Sequence, residues 1–288
     1  MTATESTFDP RWLRMREPYD HAARSVALVD ALAEALPSGA VTLVDLGCGL
    51  GSNLRFVAPR LARPQRWLLV DHDPVLLEHV PDALGAWALA RGLPFRTDGR
   101  VLSAGAIEAE LVQHDLRAPD PWPDGDATVT QAVLDLVDTA FLERLAERVP
   151  LLAALTVDGR LGWHPSDPDD AFVHRAFRAH QLGDRGFGAS PGPHAAAWLA
   201  GRLAAAGHRT SLREADWASD PAMTAAMIDG IAHAAAEIDD PDRVRAWVDR
   251  RRSAAAVAGG ALSVGHLDLL AVAEPPAGYQ GWLGRDGT

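Results

Sequence analysis

Lysine is absent. All 27 cationic side chains are arginine, set against 39 acidic ones, for a net charge of −12 at neutral pH. Without a lysine there is no Schiff-base nucleophile, no pyridoxal-phosphate anchor and no P-loop lysine. The acidic balance argues against a general nucleic-acid binder, because a phosphate backbone must be met by positive charge. Cysteine is nearly absent too. Cys48 stands alone, which rules out an internal disulfide and a cysteine-cluster zinc site. The 11 histidines show no H-E-x-x-H or similar spacing, so no metal is expected. Long apolar runs are also missing. The longest, AAAWLAGRLAAAG at 195–207, is interrupted by Gly201 and Arg202 and falls short of the ~18 residues of a membrane span. The opening MTATESTFDPRWLRMREPYD has neither the basic start nor the apolar core of a secretion signal. A cytoplasmic protein with no membrane partner is expected.

What is present is an ordinary globular balance: 288 residues, 48% apolar and 23% charged, enough for one domain carrying an added cap. Apolar residues at helical spacing predict a helical segment over 8–36, ended by Pro37-Ser38-Gly39. A short apolar run at 40–46 reads as a buried strand, followed by a glycine turn and a helix over 53–61. Strand 67–70 and helix 75–90 repeat the pattern, which is the start of a doubly wound α/β fold. Further strands are predicted at 100–103, 109–114, 127–132 and 160–164, with a helix over 140–155. Residues 166–193 read as an insertion around a helix at 171–181, followed by a helix over 194–206 and a strand at 209–213. Two more helices are predicted at 223–237 and 243–257, in a second insertion over 220–257. The last strand is 263–273, and the tail after Pro275 is expected to be loose.

Four motifs carry chemistry. LVDLGCGLGSN at 43–53 takes a strand through Asp45 into a turn with glycine at 47, 49 and 51, where backbone must bend sharply and approach a ligand closely. A dinucleotide loop, G-x-G-x-x-G, requires glycine at position 52, which here is Ser52. LLVDHD ends a strand on Asp71, whose carboxylate can accept both hydroxyls of a ribose or can cap a helix. QHDL places Asp115 after a strand, as an adenine contact or a loop-initiating residue. DATVTQAVLDLVD at 126–138 carries Gln131 to the carboxyl end of another strand, with Asp135 and Asp138 just beyond as site groups or helix caps.

Together these motifs resemble the class I S-adenosylmethionine-dependent methyltransferases, over about residues 40–165 with the last strand added. The resemblance implies a Rossmann-like, doubly wound, mostly parallel seven-stranded sheet with an antiparallel last strand. It implies one domain over 1–288: an N-terminal helical segment (8–36), a cofactor-binding half (40–165), and helical insertions at 166–193 and 220–257 that form an acceptor cap. S-adenosyl-L-methionine is the implied cofactor. Gly47, Gly49 and Gly51 would pass its methionine part, Asp45 would hold the amino group and Asp71 the ribose. Asp115 and Leu116 would read the adenine, and Gln131 would lie near the sulfonium. Cys48, Asn53 and His72 complete the implied cofactor set.

Catalytic candidates are His164, a base at a strand end, and Asp135. Trp122, Trp163 and Trp217 are candidates to wall an acceptor pocket, and Arg14, Arg16, Tyr19 and Arg24 to reach a carboxylate. The fourth motif lacks the Asn/Asp-Pro-Pro-aromatic signature of nucleic-acid amino methyltransferases, so the expected partner is a small-molecule acceptor, not nucleic acid. The sequence leaves the oligomeric state open. Two rival readings remain, a nicotinamide-dependent oxidoreductase and a non-catalytic cofactor-binding module.

Overall fold

The computed structural model describes residues 8–184, 188–255 and 261–274. At its centre, β1 (Val41–Leu46) runs parallel to β2 (Gln65–Asp71) on one side and to β6 (Ala127–Gln131) on the other. Beyond β2 lies β5 (Ile107–Gln113), and beyond β6 lies β7 (Leu151–His164), both parallel to their neighbours. The last strand, β10 (Ala261–Ala273), is antiparallel to β7 and to the edge strand β8 (His208–Glu214). These seven strands, in the order β5-β2-β1-β6-β7-β10-β8, form the expected doubly wound sheet with its antiparallel last strand. Three strands are added. β3 (Phe95–Asp98) and β4 (Val101–Ala104) extend the β5 edge as a hairpin, and the short β9 (Trp217–Ala218) pairs with β10.

The alternation of buried side chains along the central strands dictates the layers. Leu43 and Leu69 face one side, packed by α2 (Val26–Ala35), α3 (Ser52–Leu61) and α4 (Pro74–Ala90). Val44, Leu46, Leu68 and Val70 face the other, packed by α5 (Thr139–Ala146) and α7 (Ala195–Ala205). Both faces are covered, so the strands read as continuous apolar runs, as parallel strands must. A third cluster lies outside the sheet proper. There α6 (Asp170–Gln181), α8 (Pro221–Ala236) and α9 (Pro241–Ala255) pack on the far halves of β7 and β10.

The helical segment 8–36 divides into two helices: α1 (Pro10–Ala23) stops at Arg24, and Ser25 caps α2 by accepting from the Leu28 amide. One element expectation is corrected. The helix expected over 140–155 ends at Ala146, and Leu151–Leu155 belongs to β7. Pro150 disfavours helix in the residue before it, and the LLAAL run then inserts between β6 and β10. Leu and Ala are among the best helix formers, but intrinsic propensity is a small energy, and burial between two strands overrides it. The last residues of the expected helix 243–257, past Ala255, and the tail after Pro275 lie outside the described residues. No described helix is long and apolar enough to cross a membrane.

Candidate functional site

The chain order reverses between β1 and β6, and a crevice opens there at the carboxyl ends of the strands, where ligands bind in open α/β sheets. Its empty space is about 1060 Å³, counted out to the open mouth. The turn leaving β1 forms its floor. Gly47, Gly49 and Gly51 have φ of 71°, 53° and 78°, a left-handed backbone that side-chain-bearing residues rarely adopt. A Cβ on Gly47 would lie 3.0 Å from Val133 across the crevice, and one on Gly49 would lie 3.2 Å from Leu13 of α1. Both glycines therefore also make room.

The amides of this turn are largely used within the protein. Gly47 and Cys48 donate to the Val70 carbonyl at 2.9 and 3.0 Å, Gly51 donates to Cys48, and Gly49 donates to Asp71 Oδ2 at 2.8 Å. Asp71 Oδ1 accepts from the Asp73 amide at 3.0 Å. Its carboxylate thus lies directly against the glycine turn and lines the crevice. Beside it His72 places Nδ1 3.4 Å from Asp71 Oδ1, and this contact raises the imidazole pKa. A negative charge here repels a pyrophosphate, and few amides remain to bind one.

Asn53, on the first turn of α3, lines the crevice. It donates from Nδ2 to Asp45 Oδ1 at 2.8 Å, while its own Oδ1 is buried without a partner. Asp45 is fully buried behind it, and Asp45 Oδ2 is unpartnered as well. Burial raises the Asp45 pKa to about 7, against the Asn53 hydrogen bond and the Arg24 charge that lower it. Asp45 itself does not line the crevice; Asn53 stands between the two.

Gln131 lines the crevice at the end of β6, where its amide is held between two buried charges. It accepts from Arg24 Nη1 at 2.9 Å and donates to Asp20 Oδ2 at 2.9 Å. Asp20 is paired with Arg16 at 3.0 Å, and burial raises its pKa. Arg24 lies beneath the site, where burial lowers its pKa to about 10. Of the four candidates in the first helical segment, Arg16 alone lines the crevice. Arg14 is exposed, and Tyr19 is turned toward Asp220 and Trp217.

Helix α1 closes the crevice on one side, presenting Leu13, Arg16, Glu17 and Asp20. These positions share one helical face. Glu17 grips Arg55 of α3 through two hydrogen bonds of 2.7 and 2.6 Å, and His21 Nε2 lies 3.0 Å from Ser52 Oγ. The residue that breaks the dinucleotide pattern is thus engaged by the covering helix. Leu13, Glu17 and Asp20 were not anticipated; their i, i+4 and i+7 spacing is the only sequence signal that could have revealed them.

Other expected residues lie elsewhere. Leu116 lines the crevice, but the Asp115 carboxylate turns to Arg117, accepting at 2.8 and 2.9 Å, and is not part of the wall. His164 is exposed at the tip of β7. It is ten residues past Ala154, the partner of Gln131, or roughly 30 Å along an extended strand. The strand expected to begin at Arg160 begins at Leu151, which carries His164 out of the site. Asp138 caps α5 by accepting from the Phe141 amide at 2.8 Å. Trp122 packs against Phe141 in the sheet core, Trp163 packs against Trp247, and Trp217 packs against His266. None of the three lines the crevice.

Asp135 lies in a 3-10 turn, Leu134–Leu136, and lines a second hollow beneath α6 and α8. Leu136 faces both hollows. Among the described residues, no group of three or more His, Cys, Asp or Glu side chains comes together as a metal site would require.

No protein-family model matches the chain, and no curated protein matches it in sequence. Among solved structures it is similar to the cyclopropane synthase MmaA2 of Mycobacterium tuberculosis, at 15% identity and a TM-score of 0.45, over 93% of this chain and 96% of that one. It is also similar to a SAM-dependent methyltransferase of Thiobacillus denitrificans in complex with S-adenosyl-L-homocysteine, at 14% identity and a TM-score of 0.44, over 93% of this chain and all of that one. Likenesses this distant carry no functional argument, so the reading of the site rests on its own geometry.

Proposed function

We propose that this chain is an S-adenosylmethionine-dependent methyltransferase of the class I type, acting on a small-molecule acceptor in the cytoplasm. One observation carries the reading: a left-handed glycine turn joined by hydrogen bond to a strand-end carboxylate, Asp71, at the switch point of the sheet. The bound cofactor would supply a methyl group on a sulfonium, a leaving group already in place. The residues present fit it. The unpartnered Asn53 Oδ1, backed by Asp45, suits an ammonium group; Arg16 suits a carboxylate; Asp71 keeps lone pairs for ribose hydroxyls. Leu116 and Leu76 offer apolar surface for a purine ring. The protein's remaining work is to align the acceptor and exclude water, which α1 and the Leu136 turn are placed to do.

The oxidoreductase reading is disfavoured by the Asp71 charge in the turn and by Ser52 in place of the third dinucleotide glycine. A non-catalytic module would need no second hollow beside the first. His164 stands too far along β7 to be the base, and Asp135, on the wall of the second hollow next to Leu136, keeps that candidacy.

The test is Asp71→Ala. Two charge-assisted hydrogen bonds of about 1.5–3 kcal/mol each, partly replaced by water, imply a loss of S-adenosylhomocysteine affinity of roughly ten- to a few hundred-fold. The melting temperature should fall as well, because the Gly49 and Asp73 amides lose their acceptor. Unchanged affinity in calorimetry would remove Asp71 from the site and the cofactor reading with it.

A further inference from the structure

β3 ends the sheet, and among the described residues it pairs with β4 alone. Its register joins Phe95 to Ala104 and Thr97 to Leu102, and the Gly105 amide donates to the Pro94 carbonyl at 3.1 Å. In an antiparallel ladder, hydrogen-bonded pairs alternate with unbonded ones. Pro94–Gly105 belongs to the bonded set, so Arg96–Ser103 and Asp98–Val101 do too. The N–H and C=O groups of Phe95 and Thr97 therefore point away from β4, out of the edge of the sheet. Arg96, Thr97 and Asp98 are all exposed, so this edge meets solvent.

Outward amides and carbonyls are a template for another strand, and the charges beside them decide which strand fits. Here they fit a second copy of the same edge. Antiparallel self-pairing must set the outward-facing residues opposite one another, which leaves few registers. With Phe95 opposite the second copy's Thr97, Arg96 meets Arg96, like against like. With Thr97 opposite Thr97, Arg96 faces the second copy's Asp98, and Asp98 faces its Arg96. Sliding as far again sets Asp98 against Asp98. One register thus joins opposite charges twice, and both are unbonded pairs, the closer of the two cross-strand spacings. The same face of the sheet already holds such pairs. Cross-strand register leads from Arg96 through Ser103 and Glu108 to Arg66, which lies 3.9 Å from Glu108 and 2.7 Å from Glu110. On the other face, α4 packs Gly85 against the Phe95 ring, which a Cβ there would meet at 3.0 Å. One turn on, Leu89 shares that helical face and is 80% exposed, the most exposed large apolar side chain among the described residues.

We propose that two copies of this chain pair through β3, antiparallel about a two-fold axis at Thr97, so that the two sheets run on as one. The two Thr97 residues exchange backbone hydrogen bonds, two Arg96–Asp98 ion pairs flank them, and Leu89 is covered. β1 is four strands away, so the crevice stays open in the pair. This pairing is independent of the methyltransferase reading.

Sedimentation equilibrium of the full chain tests it. The parent should show twice the mass of one chain at about 100 µM, as a small but complementary interface allows. Thr97→Pro removes the outward N–H and spares the β3–β4 ladder, as proline does on an edge strand, and should dissociate the pair. Arg96→Asp and Asp98→Arg each set like charges together at two symmetry-related places, and each should weaken association at least about tenfold. Mixed in equal amounts, these two variants carry opposite charges at both places and should associate as the parent does. Damage to β3 itself would not be repaired by mixing. A monomeric parent, a dimer that survives Thr97→Pro, or a mixture no more associated than either variant alone would overturn the proposal.

Discussion

Asp45 shows how one carboxyl can prepare a site without touching it. Burial lifts its pKa to about 7, above the ordinary 3.8, so the folded protein holds a proton that the unfolded chain releases. Its contribution therefore favours the folded state below about pH 4 and is lost as pH rises toward 7. Asp45→Asn removes this titration while keeping an oxygen for Asn53. The melting temperature of the variant relative to the parent should climb between pH 4 and 7 and level off above, as thermal unfolding across a pH series would show. A pH-independent difference would mean that Asp45 is not protonated in the fold. At this scale the glycines were legible, because only glycine fits their backbone. Asp45 and Asp115 were legible as residues but not in their contacts. Nothing in the string shows that Asn53 stands in front of one, or that Arg117 occupies the other.

At the scale of elements, a buried ion pair is one of the ties that hold α1 over the crevice, beside the Asp20–Gln131 and His21–Ser52 contacts. Arg55 is 4% exposed and donates to both oxygens of Glu17 and to the Leu50 carbonyl at 2.6 Å. Glu17→Gln leaves the buried guanidinium without its counter-charge. Breaking a buried pair costs about 3–5 kcal/mol, and partial exposure of Glu17 lowers this to about 2 kcal/mol. Amide hydrogen exchange should quicken over α1, residues 10–23, and far less in the central strands. Equal acceleration throughout would show that α1 is not separately tethered. The helix was readable from apolar spacing, but its covering role was not, since that depends on a partner 38 positions away. β7 was misread for a related reason. LLAAL has the composition of a helix and the burial of a central parallel strand, and periodicity cannot separate the two in so short a run.

For the whole molecule, the alternation of strand and helix up to β6 was enough to give the doubly wound class, while the strand order, and with it the position of the crevice, is seen only in the folded chain. The region beneath α6, α8 and α9 was legible only as insertions, because its core is assembled from segments far apart in the chain. The site and the hollow beside it follow from that assembly. The central claim is that the glycine turn and Asp71 receive an S-adenosyl group and not a dinucleotide. Calorimetry on one preparation, titrated separately with S-adenosylhomocysteine and NAD, tests it most directly. Saturable binding of S-adenosylhomocysteine with no detectable NAD binding is the predicted result. NAD binding more tightly than S-adenosylhomocysteine would contradict the account.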